Sequence, residues 1–594
     1  MNSNTTFICL LLAFSLQLPL FGQTNWYVSM AGDDTNSGTS ASSPFKTFSE
    51  IQNNVQPGDT VFVIGTYTNT SYNPNYSYSG NTSDAHLWHS ENTVRINNLN
   101  GSAGQYITIK PYDANTVLKG DGANIFRVTS SSYLIIEGFN IEGEVDNIPL
   151  STAHALQFAY LIDDSSLIGT ATNPNVNDVR YRNEDEINDN DNVVEETDNY
   201  TDISNLNVVR PSYIDTRGLY LSTCSNIIIR NTKIHHTPGG SLRVSDSNFV
   251  EILENEIYRC SAKSYSGTHA LVVTKTEPIG TSDFSVQILR NTIHHNYNEQ
   301  YSWAPTKTII TPRIDEGKGI SLQRNNTSGW INGSGRILVA NNLCYWNGFS
   351  GVHSNDGYRI DFINNTCYMN SYSNTVTYAG QTQKGNNIGI SAQSSNDIKM
   401  INNISVIDTD WGGYALSAGG TTKLEVSDNL IFGINGTVNE DSDIKNIASN
   451  TKIANPLFVN AGTYNANDYD FSLDANSPAI SMGNITYAPT DDYFGSNRDA
   501  KPDLGAIEYN ASLSINEEKL NTIAIYPNPF RNELSIRYND LDVNNLALYN
   551  VLGQKQNFNY QRNTNTVTLD LSHLPNGIYL LKTRSVTKKL IKTN

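Results

Sequence analysis

The 594-residue sequence predicts an all-β solenoid, and three observations predict it. A short phrase recurs along the middle of the chain: an apolar pair, then one or two Asn within the next three positions. It stands as Ile228-Ile229-Arg230-Asn231, Ile252-Leu253-Glu254-Asn255, Ile288-Leu289-Arg290-Asn291, Leu338-Val339-Ala340-Asn341-Asn342, Phe362-Ile363-Asn364-Asn365 and Met400-Ile401-Asn402-Asn403. The steps from Asn231 to Asn255 and from Asn341 to Asn364 are about 23 residues, the length of one solenoid coil. Longer steps read as the same coil carrying an inserted loop. Each apolar run is short and rich in β-branched residues, which suits an inward-packed strand and not a helix. The register expected from the phrase points Ile229, Leu253, Leu289, Val339, Ile363 and Ile401 into one core, and stacked Asn amides can hydrogen-bond from coil to coil.

The chain opens with Trp26-Tyr27-Val28-Ser29, Gly32-Asp33-Asp34, Ser43-Pro44-Phe45-Lys46-Thr47 and Pro57-Gly58-Asp59-Thr60-Val61. Its far end carries Asn455-Pro456-Leu457-Phe458-Val459, Phe471-Ser472-Leu473, Ser477-Pro478-Ala479-Ile480 and Asp503-Leu504-Gly505-Ala506. With the repeat between them, these segments resemble the right-handed parallel β-helix of pectate-lyase-like proteins. The resemblance implies one such solenoid over residues 23–509, its coil running from Asn25 to Tyr509. Phe48, Ile51 and Val55 fall at helical spacing, so a short amphipathic helix is expected to cover the first coil, where open strand edges would otherwise stand.

Residues 1–22 hold an uncharged apolar run from Phe7 to Phe21, too short to span a bilayer comfortably, and read as a secretory signal peptide. No later segment is long and apolar enough to span a membrane. After a Ser, Asn and Glu linker over 510–521, residues 522–594 carry Ile525-Tyr526-Pro527-Asn528-Pro529-Phe530, Leu548-Tyr549-Asn550-Val551-Leu552-Gly553-Gln554, Leu574-Pro575-Asn576-Gly577-Ile578-Tyr579 and the basic Lys588, Lys589 and Lys592. These motifs resemble the C-terminal sorting domain of the type IX secretion system of Bacteroidota. That implies a small β-sandwich, recognition by the secretion machinery, and release or anchoring at the cell surface.

Cys344 and Cys367, 23 positions apart, are expected one above the other on successive coils as buried free thiols, with a disulfide as the alternative. No Cys/His spacing of zinc type is present. A formal net charge of −19 argues against nucleic-acid binding, and it would repel an anionic polysaccharide unless a metal ion or local basic residues invert the field. Much of the acid lies in one insertion, Glu184 to Asp198, which reads as a solvated loop.

The chemistry is expected beside the long insertion from His294 to about Ile320. That insertion carries Tyr297, Tyr301 and Trp303 as sugar-stacking platforms, followed by Arg313, Asp315, Glu316 and Lys318; the next coil brings His353, Asp356 and Arg359. Uronate lyases remove the proton at C5 after the neighbouring carboxylate is neutralised. Lys318 is the candidate base, with His353 as its competitor. Asp315, Glu316 and Asp356 are candidate Ca2+ ligands, and Arg313, Trp303, Tyr301, Arg359 and His269 candidate substrate contacts. A plain ion-paired turn at Asp315, Glu316 and Lys318 is the structural alternative. His235-His236 and His294-His295, each following an Asn rung, read as structural turns. Two other functions stay open on this solenoid: a glycoside hydrolase pairing Asp356 with Asp315 or Glu316, and a non-enzymatic glycan-binding or adhesion surface.

Overall fold

A computed structural model describes residues 23–68, 92–150, 212–264, 268–299, 317–326, 332–371, 387–509, 530–537, 546–550, 554–563, 566–582 and 587–593, with short pieces between them. They fall into two compact units that divide after Tyr509. The first is a right-handed parallel β-helix of three long sheets. Each coil visits them in the same order, as in Arg217–Ser222, Ser225–Arg230 and Lys233–His235. We call these the front, back and side sheets; the front has nine strands, the others eleven each.

Inward positions of the three sheets are mostly apolar, so the solenoid holds one continuous core from Val28 to Ile444. On the back sheet the inward column is Ile229, Ile252, Ile288, Val339, Phe362 and Met400. Ile229 and Val339 therefore point inward as expected. Leu253, Leu289, Ile363 and Ile401 do not: they share the outward column with Arg230 and Ala340. The expected register is off by one residue at those four rungs, and alternation of side chains sends a one-residue shift to the opposite face. Ile363 and Ile401 are nonetheless buried, because they pack outside the back sheet with Ala340 against Leu289, Leu338 and Tyr487.

The corner between back and side sheets explains the recurring Asn. Asn255, Asn291, Asn342, Asn365, Asn403 and Asn429 form a ladder in which each Nδ2 donates to the next Oδ1, at 3.0, 2.9, 3.0, 3.1 and 3.0 Å. The same amides reach backbone carbonyls of the preceding coil, as from Asn365 to Val339 at 2.8 Å. Asn231 lies outside the ladder, exposed and left-handed, and Thr232 takes the inner position on that coil. A second ladder of Asn296, Asn347 and Asn370 turns the chain from side to front sheet. Cys344 and Cys367 are buried free thiols on neighbouring side-sheet strands, in register.

The expected cap is the helix Phe48–Asn54, whose Phe48 and Ile51 are buried in the core. At the other end Ile444, in the short helix Ser442–Lys445, also joins the core. The segment after it behaves as a strap and not as a plug. Phe458, Tyr469 and Phe471 cover Tyr345, Trp346 and Tyr368 on the outside of the side sheet. Beyond them Arg498 bonds Asn341 and Glu508. The histidine pairs belong to the side sheet: His235, Tyr258, His294 and Tyr345 stack as one aromatic column at 5.0, 5.1 and 4.8 Å, and His295 bonds the Tyr464 carbonyl of the strap.

The second unit holds two four-stranded antiparallel sheets. Between them lies a core that includes Phe530, Leu534, Leu548, Leu569 and Leu581. It is the small β-sandwich expected of residues 522–594.

Candidate active site

The four longest connections of the solenoid enter the front sheet from the side sheet: Thr68 to Asn92, Glu142 to Arg217, His294 to Ile320 and Tyr368 to Asn387. Charge separates this sheet from the other two. Its nine strands contain Arg95, Arg127, Arg217 and Arg243 and not one Asp or Glu. Among the described residues none of these four arginines forms an ion pair, although Asp246 acts on Arg243 from beyond that distance. On the back sheet Arg230 pairs with Glu137, Arg290 with Glu254 and Asp491, Arg336 with Asp361 and Asp397, and Arg359 with Asp397.

Local sequence holds Lys318 at the edge of this sheet. Gly317 has φ +80°, and a Cβ there would lie 2.7 Å from the Tyr297 backbone; one at Gly319 would lie 2.6 Å from the Gly351 carbonyl. Only glycine fits on either side of the lysine. The backbone is then clamped on both flanks: Gly317 N–H donates to Thr268 at 2.9 Å, Ala270 N–H to the Lys318 carbonyl at 2.9 Å, and Gly319 N–H to Ser350 at 2.9 Å. Lys318 is buried, with its Nζ 4.6 Å from the centre of the Phe349 ring.

Two histidines share this place. His353 is buried, meets the edge of Phe349 at 6.1 Å, and its Nδ1 lies 2.7 Å from Ser391 Oγ on the next coil. With Nδ1 donating to that hydroxyl, Nε2 is left as an acceptor. Burial, and then the Lys318 ammonium, hold its imidazole well below the ordinary range. His269 is also buried and held well below it, first by burial, then by Lys318 and His353. Arg243 faces the same cluster: its charge acts on His269, while burial and Arg217 lower its own pKa. Two imidazoles neutral at ordinary pH thus stand beside Lys318 and Arg243.

Lys318, His353 and His269 are therefore brought together: register sets His269 level with Lys318, and Lys318 and His353 both meet Phe349. Asp356 is not: it is exposed at the corner leaving the front sheet. Register places Lys318 level with Ser350, so Asp356 lies six residues further along, about 20 Å at roughly 3.3 Å per residue. Arg359 belongs to the back sheet, where it lies 3.7 Å from Asp397 and stacks on Tyr358. Tyr297 is buried under the Arg259 guanidinium at 5.5 Å, a structural contact and not an open platform. Tyr301, Trp303, Arg313, Asp315 and Glu316 lie outside the described residues, as does the acidic insertion. Among the described residues no group of three His, Cys, Asp or Glu could hold a metal ion. Sequence reasoning missed Arg95, Arg127, Arg217 and Arg243; the available signal was an Arg in strands such as Asn124–Thr129 and Leu242–Ser245 with no acid beside it.

The C-terminal unit is settled by its own sequence. Residues 524–593 match the secretion system C-terminal sorting domain. That sorting domain marks the protein for secretion and attachment at the cell surface. Among the described residues no helix is long and apolar enough to cross a membrane. No curated protein matches the chain. Solved structures similar to the chain include pectate lyase Pel9A, 15% identical with a TM-score of 0.40, covering 82% of this chain and 97% of that one. A rhamnogalacturonan lyase is 13% identical with a TM-score of 0.40, covering 82% and 96%. The GH136 lacto-N-biosidase from Eubacterium ramulus is 11% identical with a TM-score of 0.35, covering 72% and 67%.

Proposed function

We propose that this protein is a secreted polysaccharide lyase that cleaves a uronate-containing chain by β-elimination on its front sheet. One observation carries the reading: a chain of net charge −19 gathers arginines with no ion-pair partner among the described residues on the one sheet that its longest connections enter. A cationic face on an acidic protein has an electrostatic cost unless an anion is to be bound there. In the reaction, Arg243 and Arg217 neutralise the C6 carboxylate, which acidifies C5–H. Lys318 is the base that takes that proton. The C4–O4 bond breaks as the C4–C5 double bond forms, and the leaving oxygen is protonated from water. His353 is the alternative proton acceptor through Nε2.

Calcium enters this reading only through Asp315 and Glu316. Asp356 lies about 20 Å along the coil from Lys318, and among the described residues no group of three His, Cys, Asp or Glu could hold a metal ion, so no step is routed through calcium. The arginines give the neutralisation a second source.

The test is turnover on a panel of uronate polysaccharides with and without a chelator. The expected result is an ultraviolet-absorbing unsaturated product whose formation survives chelation. Loss of activity on chelation returns the neutralising role to calcium at Asp315 and Glu316. New reducing ends without the chromophore favour the hydrolase, and binding without turnover favours an adhesion surface.

A further inference from the structure

The outward column of the front sheet changes character along the solenoid. In register it runs Arg95, Arg127, Tyr220, Arg243, Val272, Ser321, His353, Ser391 and Ser417. Its first half is open and cationic. Arg95 is exposed, and Arg127, Tyr220 and Arg243 are half-buried. The Arg127 guanidinium lies over the Tyr220 ring at 5.7 Å, with its Nε buried and unpartnered. The second half is closed, although these residues also face outward: Val272, Ser321, His353, Ser391 and Ser417 are 5, 0, 2, 0 and 7% exposed. An open-ended groove would leave its floor accessible on both sides of the reacting groups. Here the floor is accessible on the N-terminal side only, and Lys318, His269 and His353 stand where it closes.

We infer that the groove is blind, and that an anionic glycan enters it end-on, along a ramp of Arg95, Arg127, Tyr220 and Arg243, to be cut near its terminus. The inference rests on the anionic-glycan reading above and adds direction and mode to it. Neighbouring rungs are about 4.8 Å apart, close to the length of one pyranose, so the ramp holds roughly one sugar per coil. Arg95 and Arg127 grip sugars several units from the cut, where charge raises affinity without taking part in the chemistry. A blind site releases short fragments of one size and shortens the remainder stepwise.

Two measurements decide it. During turnover of polygalacturonate and of alginate, viscosity should fall slowly relative to new chain ends, with uniform short products from the first time points. A rapid fall in viscosity with a broad ladder of oligomers overturns the blind groove while leaving the lyase chemistry intact; new ends without an unsaturated product overturn the chemistry while viscosity still decides the mode. The second is stoichiometry, read by calorimetry on Lys318→Ala with polygalacturonate fractions of defined length. End-on entry gives one protein per chain at every length, whereas several proteins on long chains, or no binding, overturns the inference. Arg127→Ala should weaken long chains roughly three- to tenfold, and more than short ones; equal binding at all lengths removes the ramp.

Discussion

Lys318 is presented by a glycine on either side and by three backbone hydrogen bonds, so its position is set before any substrate arrives. Its replacement separates chemistry from structure. Lys318→Ala should lower kcat/KM by on the order of 10² to 10⁴, the usual cost of losing a general base. Lys318→Arg should not restore turnover, because a guanidinium keeps the charge but does not give up its proton. Recovery in the arginine variant would show that Lys318 acts by charge alone and that His353 is the base. Both variants are to be checked by circular dichroism, since the side chain is buried against Phe349. Lys318, His353 and His269 are three residues legible in sequence as candidates; Asp356 and Arg359 looked equally near, yet strand register sends them to a far corner and another sheet.

At the scale of the element, the Asn ladder is where polar residues are tied most closely to the fold. Asn365 donates to Asn403 and Val339 and accepts from Asn342, all in buried surroundings. Asn365→Ala leaves neighbours on two coils without partners, and should cost about 2 kcal/mol or more in a denaturant unfolding curve. A loss under about 0.5 kcal/mol, the range of an ordinary surface change, would show that the ladder contributes little. The repeat itself was readable because a buried amide at a fixed corner recurs visibly. The strand register beside it was not, because Ile252-Leu253 and Ile288-Leu289 are equally apolar and alternation alone cannot say which faces inward. The strap decided the matter by giving the outward residues a second apolar cover through Tyr487.

For the whole molecule, pH and salt act through different groups. His235 and His295 are lowered to about 4, chiefly by burial. The unfolded chain therefore binds more protons than the folded one between about 6.5 and 4, and stability rises with pH across that window. His269 and His353 shift in the same direction. Asp503 opposes them, since burial raises it to about 6 and its protonation favours the folded state as pH falls toward 4. With these four histidines and His236, which burial also lowers, against one carboxylate, unfolding free energy should drop from pH 7 to pH 4.5; constant stability would place these imidazoles in water. Glycan affinity should weaken as ionic strength rises, because half-exposed arginines are screened while the protein's own net charge repels the ligand. Removal of residues 524–593 should leave the solenoid folded and retain it inside the cell, read by fractionation and circular dichroism.

The sequence by itself determined the coil, its helical cap and the sorting domain, because each rests on local periodicity or a contiguous motif: Asn at one corner, Phe48 and Ile51 one turn apart, three short signatures after Ile523. It also singled out Lys318, since Arg313, Asp315, Glu316 and Lys318 gather within six residues. Only the tertiary structure decided that Arg95, Arg127, Arg217 and Arg243 share one face, for they are separated by up to about 150 positions and become neighbours when four coils stack. The physical reason is that a solenoid reads sequence along the strand but builds its surface across strands. Charge balance on a face is therefore set by register between distant coils, which no single stretch of chain contains.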